Sequence, residues 1–592
     1  MARRGYRLSL TATKSDTPPA NETVPTRAQA LLFRAKVAAH RARRLFVDWQ
    51  SGPTRLGKAA ADGFAALAGQ SRTALWSDGL AQERLLQLGK VQNLRRAAAA
   101  LDGVLIRRGE IFSFWRQVGR ASRARGYVAG RMLQQGCMVP AVGGGLCQLS
   151  NALYDVALQA GCTIVERHAH SRVVPGSQAA IGRDATVAWN YVDLRFKAPR
   201  DLRLQVRLDR HELQVRLLAR EAVTPAIEPA IDWSTFAPRD RAAQSCDTCN
   251  EVDCFRHIAP DAALGTAPAE RTAFIVDGAT PEFAAYVARR RRQGDVLALP
   301  MMGRRYAWPS DGFATVLSAP LATLRRSLES RRLADQGAAR QRALLEHAER
   351  LALALARRLP PEVTELVVAQ PLLPFLWRNG DLGGRRVTAL MSRLPMDLLH
   401  ARLDAAAAQH PDSPTLRDFR APADLVKAER EALDYAERIV TPHAEIAALF
   451  DKAQLLPWHV PPAATTATTT APIHRVAFVG PTLGRKGAYE MREAARALKL
   501  DLLVPRRDLE APDFWSGLAV TRGAPLQGQI VVQPAFAEEN PRPLLTALAN
   551  GRQVIATSAC GLPPQPGLVL VPYGDGAALI DALRAALGRP VS

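Results

Sequence analysis

The chain has 592 residues, of which 47% are hydrophobic and 23% are charged, and its formal net charge is +22. This composition is that of a globular protein and excludes an intrinsically disordered or fibrous one. Because a single hydrophobic core stops growing at about 250–300 residues, we expect about three or four domains. The seven cysteines are an odd number and fit a reducing compartment better than a disulfide framework.

Residues 1–90 are predicted to form a basic, mainly helical lead segment. Its first 58 residues hold twelve Lys/Arg and three Asp/Glu. Residues 31–49 have apolar side chains at helical spacing, interleaved with Arg34, Lys36, Arg41, Arg43 and Arg44. Such a helix either lies on an anionic membrane surface or packs on its own domain with a solvated basic face; its interrupted apolar face favours the second interpretation. No recognition motif accompanies the charge, so we expect no nucleic-acid partner.

The first residues, MARRGYRLSLTATKSD, lack the apolar core of a signal peptide. No stretch elsewhere reaches the roughly 18–20 apolar residues of a membrane span. We therefore expect a cytoplasmic protein. Peripheral contact with an anionic membrane at its inner face is the alternative that the basic lead segment suggests.

Residues 91–220 are predicted to form a compact α+β unit. An Ala-rich helix opens it, and DLRLQVRLDRHELQVRLLA (201–219) closes it with two alternating runs joined by a short turn, which is typical of a β-hairpin. Between them, GGGLCQLSNALYD (143–155) leads from three glycines into a helix with an apolar stripe at Leu146, Leu149, Leu153, Val156 and Ala160.

This spacing puts Cys147 in the first helical turn, where unpaired N–H groups and the helix dipole lower the pKa of a thiol. His168 and His170 follow on one face of the next predicted strand, where either can pair with the thiol. The alternative interpretation is a small buried cysteine that only packs beside the turn.

The runs GGGLCQLS, ERHAHS and GRDATV together resemble the VanW family of bacterial envelope-associated proteins, named for vancomycin resistance, over about residues 109–196. The positions of interest in the family's pattern are Cys147, Gln148, Arg167, His170, Ser171 and Asp184. Some members are regarded as L,D-transpeptidases of peptidoglycan. The resemblance implies that Cys147 takes the acyl group, that His170 is its base, and that Asp184 or Arg167 orients the histidine or a substrate carboxylate. Peptidoglycan cross-linking occurs outside the membrane, whereas the sequence shows no export signal.

Residues 221–262 are predicted to be a Pro-rich connector that carries the run CDTCNEVDCFRH. Thiolates at this spacing can close a small loop around Zn²⁺, with the candidate ligands Cys246, Cys249, Cys254 and His257. An iron–sulfur cluster on the cysteines is a second interpretation, and three unrelated reduced thiols are a third. We expect a structural metal, with zinc ahead of iron–sulfur.

The remaining chain alternates strands and helices in two halves, 263–460 and 473–592, joined by the low-complexity linker PPAATTATTTAP (461–472). Strand runs such as DVLALPM and QIVVQP alternate with helical segments in both halves, which is typical of nucleotide-binding α/β folds. The predicted fold class is therefore a multi-domain α/β protein, in which an N-terminal α+β domain precedes two Rossmann-like halves.

In the last half, residues 475–498 predict a strand, a glycine-punctuated loop and a helix whose N-terminus faces a phosphate, with Arg485 and Lys486 adding charge. Residues 530–557 predict a second strand, an acidic loop and a helix. An ordinary α/β crossover with a solvated acidic loop has the same pattern.

These two runs resemble the donor-binding domain of retaining GT-B glycosyltransferases, where a loop lysine and glycine grip a nucleotide diphosphate and two glutamates contact donor sugar and ribose. The resemblance implies that Lys486 and Gly487 bind the diphosphate and that Glu538 binds the sugar. Thr546 stands where the second glutamate is expected. The loop arginine falls at a proline, with Arg485 as a shifted substitute. Each departure lowers donor affinity by about 1–3 kcal/mol.

Together these patterns favour sugar transfer from a nucleotide sugar to an envelope glycan or lipid-linked acceptor, with the VanW-like part binding or modifying the acceptor. The alternatives are cysteine acyl transfer of the L,D-transpeptidase type centred on Cys147, and a non-catalytic scaffold for envelope assembly.

Overall fold

The computed structural model describes residues 27–60, 62–76, 84–134, 137–170, 181–224, 270–303, 306, 308–333, 337–418, 420–462, 475–523 and 528–588. The described chain falls into two compact units. Unit 1 takes in the described residues up to 207 and those from 212 to 224. Unit 2 takes in residues 208–211 and the described residues from 270 onward.

Unit 1 combines helices with small antiparallel sheets. Its helices are α1 (Arg27–Ser51), α2 (Arg84–Leu101), α3 (Phe114–Val118) and α4 (Leu146–Gln159). Its strands are β1 (Ala66–Ala74), β2 (Leu105–Ile106), β3 (Ile111–Ser113), β4 (Ala129–Gln134), β5 (Cys137–Val142), β6 (Thr163–Glu166), β7 (Arg195–Lys197), β8 (Leu202–Leu208) and β9 (Glu212–Ala219). They pair in the orders β1-β9-β8-β2, β3-β7-β6 and β4-β5, which confirms the predicted α+β class of this region.

Helix α4 packs across β1 and β9. Leu149, Leu153 and Val156 of the predicted apolar stripe are fully buried, as are the alternating leucine and valine side chains of β9. Strand β1 approaches the helix closely at Gly69, where a Cβ would lie 2.7 Å from the carbonyl oxygen of Val156. The stripe thus fixes the helix that carries Cys147 against the sheet.

The first half of unit 2 is a parallel sheet with helices on its faces. Its strands are β10 (Arg271–Ile275), β11 (Val296–Leu299), β12 (Thr315–Ser318), β13 (Val363–Ala369), β14 (Arg386–Leu390), β15 (Arg438–Thr441) and β16 (Ala453–Leu455). Its helices are α5 (Pro281–Arg290), α6 (Pro320–Arg332), α7 (Gly337–Ala356), α8 (Leu373–Arg378), α9 (Met396–Gln409), α10 (Ala423–Tyr435) and α11 (Ala444–Ala447). The strand order is β12-β11-β10-β13-β14-β15-β16.

The second half repeats this plan. Its strands are β17 (Arg475–Phe478), β18 (Asp501–Val504), β19 (Ala519–Arg522), β20 (Ile530–Gln533), β21 (Gln553–Thr557) and β22 (Leu568–Val571). Its helices are α12 (Ala488–Leu498), α13 (Arg542–Ala549) and α14 (Gly576–Ala586). The parallel strands lie in the order β19-β18-β17-β20-β21-β22.

Both sheets have the doubly wound strand order, in which the chain starts at the centre, runs to one edge and then returns to fill the other side. This order confirms the two predicted Rossmann-like halves. In such sheets, ligands bind beyond the carboxyl ends of the strands where the order reverses. In the second half that point lies between β17 and β20, so the loops that follow these two strands face it.

Among the helices that the structure describes, none is both long and apolar enough to cross a membrane.

Candidate functional site

Cys147 is the second residue of α4, and the glycines before it set how the helix begins. Gly145 caps the helix with φ 95°, a left-handed value that favours glycine. A Cβ at Gly145 would lie 2.2 Å from Cγ of Lys90 on α2, so the neighbouring helix also leaves no room for a side chain. The thiol is half-buried, and its Sγ lies 3.8 Å from Oγ1 of Thr186. The turn therefore places the thiol at the positive end of the helix dipole.

Asp184 organises the histidine that faces this thiol. Its buried carboxylate accepts a hydrogen bond from the backbone N–H of His170 at 2.6 Å, and Oδ2 lies 2.8 Å from Nδ1 of the same residue. Oδ1 accepts a hydrogen bond from Nη2 of Arg167 at 2.6 Å. The side chains of His170 and Cys147 lie close enough that each shifts the pKa of the other. Because Nδ1 is held by the carboxylate, Nε2 is the ring nitrogen left for the thiol.

The protonation of this group follows from its contacts. Burial alone raises the pKa of Cys147, but hydrogen bonds from His170, the Val187 backbone and Thr186, with the charge of the imidazole, hold that pKa below its usual value. The hydrogen bond with Cys147 raises the pKa of His170 against the effect of burial, and Asp184 raises it further. The arrangement therefore favours a thiolate–imidazolium pair.

Asp184 remains ionised beside this pair. Burial raises the pKa of its carboxyl group, but the hydrogen bonds from His170 and the charge of Arg167 bring it below its usual value. Arg167 also donates from Nε to the Asp184 carbonyl oxygen at 2.7 Å. Arg167 thus holds the Asp184 carboxylate, and it is Asp184 that contacts the ring of His170.

The side chain of Gln148, another residue of the VanW pattern, is bound to β1. Gln148 donates from Nε2 to Oγ1 of Thr73 at 2.9 Å and to the Ala74 carbonyl oxygen at 2.8 Å, which ties α4 to the end of β1. His168, the second histidine of the sequence pattern, has Nε2 3.4 Å from Oε1 of Glu166. Ser171 lies outside the described residues.

Sequence reasoning missed the side chains that bind α4 to the segment carrying Asp184. Asn151 Oδ1 accepts from the Ala185 N–H at 2.9 Å, and Ser150 donates to the Ala185 carbonyl oxygen at 2.5 Å. Polar residues on an otherwise apolar helix were the available signal, because a buried hydroxyl or amide needs a partner. These bonds hold Thr186 and Asp184 beside the thiol.

Cys162 is a useful contrast within the same unit. It is buried just after α4, and burial raises the pKa of its thiol to about 12. A cysteine that only packs is expected to behave in this way.

The second candidate site lies where the strand order of the last sheet reverses. After β17 the chain makes a tight turn over Gly484–Lys486, and Gly487, with φ 77°, starts α12. A Cβ at Gly487 would lie 2.1 Å from the carbonyl oxygen of Pro534, so the loops after β17 and β20 approach closely there. The loop is therefore built as the resemblance implies, with a glycine at the start of the helix.

Lys486 and Glu538 form a buried ion pair with Nζ 2.8 Å from Oε2. Lys486 also donates to the Ala537 carbonyl oxygen at 3.0 Å, while Glu538 accepts from Gln533 and from two backbone N–H groups. Burial, then the charge of Arg485, lower the pKa of Lys486. Burial raises the pKa of Glu538, but Lys486 brings it below its usual value. Lys486 and Glu538, which the resemblance assigns to the diphosphate and the sugar, are thus bound to each other.

The position of the expected second glutamate also has an internal partner. Thr546 donates from Oγ1 to the carbonyl oxygen of Arg542, one turn earlier in α13. Arg542 forms an ion pair with Glu282 of the first half and donates to the His459 carbonyl oxygen at 2.7 Å. The start of α13 is therefore bound to the first half.

A cavity of about 700 Å³ lies between the two halves of unit 2. Arg485 and Glu539, the neighbours of the ion-paired Lys486 and Glu538, are among its lining residues. Arg340 and Arg393 of the first half face the same space, next to leucines of α7 and α9. A cavity of this size, with mixed polar and apolar walls, accommodates a small-molecule ligand.

The predicted metal ligands Cys246, Cys249, Cys254 and His257 lie outside the described residues. Within the part of the chain that the structure describes, no group of three or more His, Cys, Asp or Glu residues could hold a metal ion.

Comparison with known proteins identifies the first site's domain. Residues 89–218 match the family model described as VanW like protein. The chain is 37% identical over 138 residues to the vancomycin B-type resistance protein VanW of Enterococcus faecalis, covering 22% of this chain and 50% of that protein. It is 36% identical over 119 residues to the uncharacterized protein YoaR of Bacillus subtilis, covering 20% and 39%. The predicted VanW domain is confirmed, and the chain spans about half the length or less of these relatives.

Similarities to solved structures cover the C-terminal part. Sucrose-phosphate synthase from Thermosynechococcus elongatus is 15% identical with a TM-score of 0.35, covering 54% of this chain and 90% of that one. Anabaena HepE in complex with UDP and glucose is 12% identical with a TM-score of 0.31, at the same coverage. WaaG, a glycosyltransferase involved in lipopolysaccharide biosynthesis, is 14% identical with a TM-score of 0.30, again at that coverage. The assignment of two Rossmann-like halves rests on the strand orders of the two sheets.

Proposed function

We propose that the VanW domain, residues 89–218, is a cysteine-dependent acyltransferase with Cys147 as its nucleophile. The observation that supports this most directly is the connected group of Cys147, His170 and Asp184, in which the thiol pKa is lowered and the imidazole pKa is raised. Nucleophile, base and orienting carboxylate in hydrogen-bond contact are the requirements for covalent catalysis. A cysteine that only packed beside the turn would share the raised pKa of Cys162.

In the proposed reaction, the thiolate of Cys147 attacks the carbonyl carbon of an amide or ester and forms a C–S bond. The imidazolium of His170 gives its proton to the leaving nitrogen or oxygen as that bond to carbon breaks. The neutral His170 then takes a proton from an amine acceptor that attacks the thioester, and Cys147 leaves as a thiolate. Asp184 stays ionised and holds the ring, while the N-terminal end of α4 stabilises negative charge on sulfur.

As the substrate class we propose peptide carbonyls of the bacterial cell envelope, the class that the VanW resemblance implies. The full-length protein is incubated with a short peptide thioester, and intact and digested masses are measured. We expect an acyl adduct on Cys147 that is absent in Cys147→Ser and retained in Cys162→Ser. An adduct of equal yield in Cys147→Ser, or none in the native protein, would sink the proposal.

A second function is proposed for unit 2, namely binding of a nucleotide sugar and transfer of its sugar, of the retaining type, to an envelope glycan or lipid-linked acceptor on the cytoplasmic side of the membrane. Its support is the cavity at the point where the strand order reverses, beside a glycine-started helix. Arg340, Arg393 and Arg485 on the cavity wall suit a diphosphate. Donor contact by Lys486 requires its bond with Glu538 to open, which predicts weak donor binding.

Calorimetric titration with UDP and a panel of nucleotide sugars tests this second function. We expect Arg485→Ala to weaken binding by about 1–3 kcal/mol, because a charged hydrogen bond is lost. Lys499→Ala, at the exposed end of α12, is the matched control and should leave binding unchanged. Absence of binding across the panel, or equal loss in both variants, would reject the proposal.

A further inference from the structure

Helix α1 packs on unit 1 through its charged face. Arg44 forms an ion pair with Glu166, and Asp48 accepts a hydrogen bond from Arg195 at 2.7 Å. Arg41 donates from Nε to a backbone carbonyl oxygen at 2.8 Å. A helix that packs on its own domain normally buries an apolar stripe and exposes its charges. The polarity of α1 is reversed with respect to that rule.

The opposite face of α1 is apolar and points to solvent. Leu45 is 60% exposed, Phe46 is 56% exposed and Trp49 is 81% exposed. At 3.6 residues per turn, these side chains share one side of the helix with further exposed residues, namely Leu32, Ala35, Ala38, Ala39 and Ala42. A contiguous apolar surface of this kind on a folded protein marks an interaction site.

The charges that border this face are positive. Lys36 and Arg43 are exposed and follow one edge of the apolar surface, next to Leu32 and Phe46 on the helical wheel. The acidic residue of α1, Asp48, is bound to Arg195 on the packed face. The outward half of the helix therefore combines large apolar side chains with exposed positive charge.

The combination of apolar and positive side chains indicates which partner covers the exposed face of α1. Amphipathic helices that lie in a bilayer interface bury Trp, Phe and Leu at the headgroup level and place Lys and Arg against anionic lipid phosphates. A second copy of the chain would bring the same positive edges together in a chain whose net charge is already +22. Charge complementarity thus favours an anionic lipid surface.

We propose that α1 docks the protein on an anionic bilayer, with Leu45, Phe46 and Trp49 in the interface and Lys36 and Arg43 on lipid phosphates. The charged face of the helix stays bound to unit 1 through Arg44 and Asp48. This inference concerns a surface apart from both candidate sites and does not depend on either proposed activity.

Co-sedimentation of the full-length protein with vesicles tests the proposal. We expect binding to vesicles of phosphatidylcholine with phosphatidylglycerol, and little binding to phosphatidylcholine alone. Lys36→Gln/Arg43→Gln should weaken partitioning about thirty-fold, since each cation near a charged surface contributes a factor of about five. Phe46→Gln/Trp49→Gln should also weaken partitioning onto the anionic vesicles, because it removes the apolar contact with the interface. Leu321→Gln/Leu328→Gln, which changes exposed leucines of α6, is the matched control and should bind like the native protein.

All the substituted side chains are solvent-exposed, so the variants should keep the native melting temperature, which a parallel melting curve checks. Equal vesicle binding by the native protein and both α1 variants overturns the proposal. A native protein that does not bind anionic vesicles also overturns it. If that protein is a dimer in light scattering and Phe46→Gln/Trp49→Gln is a monomer, the apolar face is assigned to a second copy of the chain. Binding of free inorganic phosphate by the native protein, without any binding to vesicles, would also overturn the proposal.

Discussion

The buried carboxylate of Asp184 controls the chemistry of its neighbours. It accepts from the backbone and faces the ring of His170, and it pairs with Arg167, so its charge is held where it stabilises an imidazolium. That imidazolium in turn stabilises the thiolate of Cys147. Sequence reasoning found these residues through the VanW resemblance, because the run GRDATV carries the aspartate. Their mutual distances depend on tertiary structure and could not be predicted from spacing.

Replacing Asp184 with Asn tests this dependence. The amide keeps the size of the side chain but removes its charge, so the pKa of His170 should fall and the pKa of Cys147 should rise. We expect iodoacetamide labelling of Cys147 at neutral pH to slow by about ten-fold or more. Mass spectrometry of the labelled peptide measures it. Asp201→Asn, which changes a carboxylate bound to a backbone N–H away from this group, is the control, and an equal rate in native and Asp184→Asn protein would contradict the role.

The pair of Lys486 and Glu538 gives a second prediction at the same scale. Lys486→Met leaves a buried carboxylate without its cation, so we expect the free energy of unfolding in urea to fall by about 3–5 kcal/mol. Lys486→Met/Glu538→Gln removes both charges and should lose less. Arg522→Gln breaks a pair in the same half whose arginine is 41% exposed, and it should cost less than Lys486→Met. An equal fall in the free energy of unfolding for Lys486→Met and Arg522→Gln would show that burial of the Lys486–Glu538 pair adds no stability.

At the scale of elements, the start of α4 joins sequence, backbone geometry and site. The three glycines lead into the predicted helix, and the structure shows why glycine is needed there, in the left-handed φ of Gly145 and its contact with Lys90. The helix and its stripe were predictable from periodicity alone. The contact with Lys90 was not, because it joins residues on two different helices.

Gly145→Ala should therefore lower the free energy of unfolding for two reasons. An alanine at positive φ costs about 1–2 kcal/mol, and the Cβ overlap with Lys90 adds about 1–3 kcal/mol. Gly109→Ala, at φ 83° with its nearest contact 3.9 Å away, isolates the backbone cost. Urea unfolding measures both, and labelling of Cys147 should slow only in Gly145→Ala. Equal destabilisation by the two substitutions would contradict the steric part.

Helix α1 shows what periodicity cannot supply. Its extent, Arg27–Ser51, exceeds the predicted 31–49 by a few residues at each end. The sequence favoured a helix packed on its own domain with a solvated basic face, whereas Arg44 and Asp48 contact unit 1 and the large apolar side chains are exposed. That choice is made by Glu166 and Arg195, which are more than a hundred residues away in the chain.

For the whole molecule, the two Rossmann-like halves were the most predictable feature. Strands β11 and β20 are continuously apolar or nearly so, and they are buried on both faces. This pattern is visible in the sequence itself. The ion pair of Lys486 and Glu538 was not predictable, because these residues are of the types found in a binding site whether they bind a ligand or each other. Sequence therefore favoured sugar transfer, while the geometry favours the cysteine site.

The two proposed activities should be separable in one protein. Cys147→Ser should abolish acylation and leave nucleotide binding unchanged, and Arg485→Ala should do the reverse, because each residue lies in a different compact unit. The acylation assay and the nucleotide titration, each carried out on both variants, measure whether the two activities are lost separately. Loss of both activities in either variant would contradict independent sites. If both variants retain native envelope phenotype in cells, the non-catalytic scaffold is favoured.

The most direct test of the central claim is the pH dependence of alkylation at Cys147, followed by mass spectrometry of the peptide. Its lowered pKa means that thiolate is present above that pKa and is lost as the pH falls through it, while the raised pKa of His170 keeps the imidazolium to higher pH. We expect the rate at Cys147 to be near its maximum at neutral pH and to fall only in acid. Cys162, whose pKa is about 12, should stay unlabelled at neutral pH. A rate at Cys147 that rises only in alkali, together with that of Cys162, would contradict an activated nucleophile.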